Sequence, residues 1–95
     1  MAVYMIADVT VTDPEQYAKY VEQAVPTLEP YGAKLLVYQD DPEVIEGDWA
    51  PKRIAVIEFK DEATAKEWYH SSAYQTAREL RVPAGIVGIV LAPAL

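Results

Sequence analysis

The chain has no cysteine, one histidine, and only 8 basic residues against 15 acidic ones. Without a thiol, disulfides, thiolate catalysis and Cys-ligated zinc or iron–sulfur sites are excluded. A single histidine argues against a His-rich metal centre. Asp40 and Asp41 lack the spacing of a calcium loop and read as a solvated turn. The expectation is therefore no metal and no other cofactor. The net charge of −7 comes without a basic stripe. Phosphate backbones and anionic membrane surfaces call for clustered Lys and Arg, so neither nucleic acid nor membrane is an expected partner. No apolar run approaches the ~20 residues of a membrane helix, and no leader pattern is visible at the start. Cytoplasm is the default expectation.

Apolar residues, by contrast, are abundant: they make up 52% of the chain, with seven Tyr and two Trp. Ninety-five residues read as one domain, 1–95. A domain of this size buries only about 60–65% of its unfolded surface. The surplus apolar surface makes a homodimer the expected state.

Val3 to Val11 alternates. Val3, Met5, Ala7, Val9 and Val11 form an apolar face, and Tyr4, Ile6, Asp8 and Thr10 a mixed one, which predicts a strand. Thr12-Asp13-Pro14-Glu15 starts a helix, with Thr12 as cap and Glu15 completing a capping box. Tyr17, Tyr20, Val21, Ala24 and Leu28 share its apolar side. Pro26 should break it, and Gly32 should cap its end. Lys34 to Gln39 reads as a second strand, resuming over Glu43 to Glu46, and Lys52 to Phe59 as a third. Asp61 caps a second helix, Ser71-Ser72 offers a break or a second cap before a further helical run, and Val82-Pro83-Ala84-Gly85 stops it. Ile86 to Ala92 is the last strand, where Gly88 would allow close backbone approach. The order β-α-β-β-α-β is the ferredoxin-like α+β unit, an antiparallel four-stranded sheet with helices on one face.

The richest motif is Glu46-Gly47-Asp48-Trp49-Ala50-Pro51-Lys52-Arg53 running into Ile57-Glu58-Phe59. It puts a carboxylate, an indole and a guanidinium at a strand entrance. Arg53 could hold a substrate carboxylate by a two-point bond. Trp49 would form an apolar wall, with Tyr20 nearby. Asp48, Glu58 or His70 would move a proton. Each residue also has a structural explanation: Asp48 pairing with Arg53, Glu58 pairing with a cation, His70 as a surface residue at a helix end. The Arg78 and Arg81 pair could hold a carboxylate ligand, but in so acidic a chain intramolecular ion pairing is the expectation.

That long motif, with Val11-Thr12-Asp13-Pro14 before Tyr17 and Tyr20, Tyr31-Gly32-Ala33, Trp68-Tyr69, Ser71, Tyr74 and Arg81, resembles the domain-of-unknown-function 1330 family (DUF1330) of the dimeric α/β-barrel superfamily. The resemblance covers nearly the whole chain. Ala33 stands where a second Gly is often seen. His70 stands at a variable polar position, which weakens its catalytic reading. The resemblance implies a homodimer whose two sheets face each other as a barrel, with a small cleft in each subunit. It supplies no reaction, because the superfamily includes cofactor-free monooxygenases, lactone isomerases and haem-binding enzymes. The functional expectation is a cofactor-free enzyme acting on a small organic acid or phenolic metabolite. The alternatives are a non-catalytic ligand-binding dimer and a purely structural one.

Overall fold

The computed structural model describes residues 1–95. β1 spans Val3–Val11, β2 Lys34–Asp40, β3 Arg53–Phe59 and β4 Gly85–Pro93. They form one four-stranded sheet in the order β2-β3-β1-β4. Every neighbouring pair is antiparallel. Helices α1 (Pro14–Ala24), α2 (Glu62–His70) and α3 (Ser72–Arg81) fill the connections. The fold is the expected ferredoxin-like α+β arrangement.

Side-chain alternation in β1 sorts the sheet into two faces. Val3, Met5 and Val9 are buried beneath the helices. Their register partners Phe59, Ile57 and Arg53 on β3, and Pro93, Leu91 and Val87 on β4, share that side. Tyr4, Ile6 and Asp8 point the other way, with Glu58, Val56 and Ile54. β2 departs from strict alternation. A bulge between Leu35 and Val37 leaves Leu36 without a partner. Leu35 and Tyr38, three apart, therefore both lie on the helix side, opposite Ile57 and Ala55.

Local chemistry sets the element ends. Asp13, not Thr12, caps α1, accepting from the Gln16 N–H at 3.1 Å. The Thr12 N–H is engaged elsewhere, donating to the Ala84 carbonyl at 2.8 Å alongside that of Asp13 at 3.0 Å. Pro26 has no N–H to continue the α ladder, and the chain tightens to a 3₁₀ turn over Val25–Tyr31. Gly32 closes it at φ +65°. Asp61 caps α2 as expected, accepting from Thr64 N at 2.7 Å, and of the Ser71-Ser72 pair it is Ser71 that caps α3, accepting from Tyr74 N at 3.3 Å. Glu43 to Glu46 does not resume a strand. Residues 41–52 form an irregular loop, closed by the Asp41 N–H on the Lys52 carbonyl at 2.7 Å. The tight glycine of β4 is Gly85, where a Cβ would stand 2.9 Å from the Thr10 carbonyl oxygen. Gly88, expected to allow close approach, faces open space.

The core is aromatic. Trp68 lies 4.1 Å from the Tyr74 ring and 5.5 Å from that of Phe59, centroid to centroid. Its indole N–H donates to Thr27 Oγ1 at 2.9 Å, and that hydroxyl donates to the Ala24 carbonyl at 2.6 Å. The opposite sheet face has no such cover: Ile86 is 72% exposed and Val90 60%.

Trp68→Ala removes the ring joining α2, α3 and β3 and leaves a cavity, so urea unfolding should show a loss of about 3–5 kcal/mol. A loss under about 1 kcal/mol would mean the site collapses and the cluster does not hold the helices down.

Candidate functional site

A cleft lies between the helices and the sheet, and two parts of it can be described. The inner part is a chamber with about 70 Å³ of room for the centre of a water molecule. Its floor comes from Met5, Ala55 and Ile57, and its roof from Tyr20, Ala24 and Tyr74. All but one of the lining residues are apolar or aromatic; the exception is Arg81. The outer part is a groove of about 290 Å³ between the start of α1 and the ends of β1 and β2, with Arg53 in its wall. Tyr17, Val21 and Tyr38 line both parts. The cleft exists because the helices do not reach across β2: Leu35 and Tyr38 remain 39% and 42% exposed.

Arg53 is held from several directions. Its guanidinium lies 4.8 Å from the Tyr38 ring centroid and 5.6 Å from that of Tyr17. Nε donates to Asp40 Oδ1, Nη2 donates to Oδ2 at 3.2 Å, and Nη1 donates to the Tyr38 hydroxyl at 2.8 Å. Asp40, exposed as expected but at the end of β2, is thus the partner of Arg53 in place of Asp48. The hydrogen bonds from Arg53 hold the Asp40 carboxyl below its usual range, and the pair raises Arg53 in turn.

Inside the chamber the Tyr20 and Tyr74 hydroxyls stand 2.9 Å apart. Burial, then the charge and hydrogen bond of Tyr74, push the Tyr20 hydroxyl far above its ordinary range. Burial, with Tyr38 adding to it and Arg81 and Arg53 opposing, pushes Tyr17 up to about 12. These hydroxyls stay protonated near neutral pH and serve as donors. Arg81, at the end of α3, is 6% exposed, its guanidinium 5.9 Å from the Tyr20 ring centroid. The expected ion pairing of Arg78 and Arg81 does not occur. The ion pairs are Arg53–Asp40 and Lys66–Glu62.

The six residues singled out from the sequence do not converge. Tyr20 lines the chamber and Arg53 the groove. Trp49 lies against the opposite sheet face, its indole N–H donating to Asp8 Oδ2 at 2.8 Å. Glu58 is on that face too, in register with Tyr4 and Lys34. Asp48 is exposed in the loop. His70 is exposed at the end of α2, its ring edge-on to Tyr69 at 5.2 Å. Strand alternation separates Glu58 from Arg53, but nothing local announces that Trp49 folds to the far face. Tyr17, Tyr38, Asp40 and Tyr74 were missed as site residues; only the helical spacing of Tyr17 and Tyr20 hinted at the wall they form. No three Asp, Glu or His side chains are grouped to hold a metal ion.

The pattern described as "Domain of unknown function (DUF1330)" matches residues 2–95. No curated protein matches the chain. Among solved structures, a protein of unknown function from Rhodopseudomonas palustris superposes with a TM-score of 0.81 at 18% identity, over 99% of this chain and 82% of that one. A dimeric ferredoxin-like protein of unknown function from Jannaschia sp. gives 0.72 at 12% identity, over 99% and 100%. SnoaB, a cofactor-independent oxygenase from Streptomyces nogalater, gives 0.70 at 9% identity, over 99% and 93%. At these identities the likeness is one of fold.

Tyr17 generates a pH prediction. Below pH 10.0, its ordinary value, folded and unfolded chains both keep the proton, and the residue adds no pH dependence. Between 10.0 and about 12 only the unfolded chain releases it, so stability should fall as pH rises through that window. Tyr17→Phe should flatten the fall in denaturant titrations run across the window. An unchanged slope would show that Tyr17 titrates there as a solvated phenol does.

Proposed function

The chain belongs to the DUF1330 family, a family of unknown function, and from that premise we propose that its helix–sheet cleft binds a compact organic acid or phenolic metabolite. The observation that carries this reading is an apolar chamber beside a groove with an arginine in its wall. Apolar walls with a few placed polar groups are the usual make-up of a small-molecule site. Arg53, braced by Asp40 and Tyr38, has three of its five N–H donors in use and offers the rest to a molecule entering the groove.

A second reading, a cofactor-free enzyme acting on the same molecule, draws on the protonated tyrosines beside Arg81. Donors in a dry site stabilise negative charge developing on a substrate. The titratable residues lining the chamber are Tyr17, Tyr20, Tyr38, Tyr74 and Arg81, so no carboxylate or histidine stands there as a base. Turnover would then rest on the bound molecule's own acidity, with the site stabilising the anion.

We also propose a homodimer formed through the open sheet face. Ile6, Ile54, Val56 and Val90 lie there, and the Jannaschia protein of the same fold is dimeric. Such an interface should bury roughly 2,000 Å² or more in total. Trp49 would lie within or beside it.

A thermal-shift screen of small acids and phenols tests the binding reading. A molecule at 100 times its dissociation constant should add about 2.7 kcal/mol of stability. Val21→Trp, which fills the wall shared by chamber and groove, should abolish the shift. A hit unaffected by Val21→Trp would place the ligand elsewhere. Light scattering at micromolar concentration should give a dimer, and Trp49→Ala should weaken it without changing ligand affinity. A monomeric wild type would sink the dimer proposal.

A further inference from the structure

We infer that Arg81 is the anion anchor of the chamber, and that a ring-sized monoanion, a carboxylate or an acidic phenolate, binds there with its charged end on Arg81. This rests on the reading that the cleft takes a small molecule, and it names the chemistry and orientation of that molecule. Arg81 is 6% exposed and lies in the wall of the chamber. It takes part in neither ion pair of the chain. None of the side-chain hydrogen bonds that organise the interior, such as Tyr20–Tyr74 and Trp68–Thr27, comes from it. No Asp or Glu lines the chamber. The sealed nitrogen without a partner is Arg78 Nε; no nitrogen of Arg81 is closed off in that way, so its donors are not shut away from a molecule in the chamber.

Two features favour a cation there. Arg81 is the last residue of α3, where the helix carbonyls favour a cation. Its guanidinium also lies near the Tyr20 ring. Both act on the charge and leave the fork of five N–H donors unused, a fork that matches a carboxylate at two points. The Tyr20–Tyr74 pair adds to it. Two hydroxyls sharing one hydrogen bond leave one O–H donor beyond the bond between them. The site therefore offers donors and no acceptor of comparable strength, which selects an anionic oxygen over an amine or an amide. Arg53 differs in kind, because Asp40 already neutralises it. It guards the entrance, and Arg81 decides the charge of what binds inside.

The test is calorimetric titration of the full chain at neutral pH with benzoate and cyclohexanecarboxylate, each against its primary amide. Wild type should bind each acid about tenfold or more tighter than its amide, the gain of one charge-assisted hydrogen bond. Arg81→Met, which keeps an apolar stem, should erase that preference and leave amide affinity within about threefold. Arg81→Lys should retain part of the preference. Equal wild-type affinity for acid and amide, or a preference that survives Arg81→Met, overturns the anchor while leaving the cleft reading intact. If neither acids nor amides bind wild type, the anchor and the cleft reading fall together. Should Arg81→Met not fold, the wild-type comparison still decides.

Discussion

The position of β1 at the centre of the sheet constrains almost everything else. From Val3 to Val9 each of its residues is flanked on both sides, Met5 by Ile57 and Leu91, Asp8 by Ile54 and Gly88. A slip of one residue would carry Val3, Met5 and Val9 out of the core and drive Asp8 beneath the helices. The alternation of this strand thus assigns a face to β3 and β4 as well. It gives the molecule a helix side that encloses a chamber and an open side that is apolar and uncovered.

The bulge at Leu36 in β2 refines that plan. It brings Tyr38 and Asp40 to the helix side, opposite Ala55 and Arg53. With unbroken pairing from Leu35 onward, Val37 and Gln39 would take those places. One unpartnered residue therefore decides whether Arg53 meets a carboxylate and a phenol or an aliphatic chain and an amide. The ring of Tyr38 also becomes a wall of both chamber and groove. Bulges commonly re-aim side chains in this way beside functional sites.

Polar groups inside the helix side are placed with care for their partners. The Trp68 indole reaches Thr27, whose hydroxyl reaches the Ala24 carbonyl, and Tyr20 meets Tyr74. Arg78 Nε is the buried donor left without a partner, but it is Arg81, in the chamber wall and outside both ion pairs, that draws the functional argument. The fold alone could not: proteins with 9–18% identity share it, among them one of unknown function and a cofactor-independent oxygenase. A scaffold that hosts unrelated functions leaves the argument to particular side chains.

Features with local causes were determined by the sequence. The alternation of Val3 to Val11, the caps at Asp61 and Ser71, the positive φ at Gly32 and the element order all follow from neighbours a few residues apart. Not every local signal held. Asp13 caps α1 in place of Thr12, its carboxylate accepting from the Gln16 N–H, while the N–H groups of both residues donate to the Ala84 carbonyl. Glu43 to Glu46 has strand composition and no strand to pair with. The site was legible only in part. Arg53 and Tyr20 could be nominated from chemistry, yet the loop carrying Trp49 crosses to the other face, and Asp40 is brought to Arg53 by a bulge. The unpaired state of Arg81 is a tertiary fact in the fullest sense. An arginine in a chain rich in carboxylates finds one unless the packing around it excludes them all, and only the assembled chamber wall shows that it does.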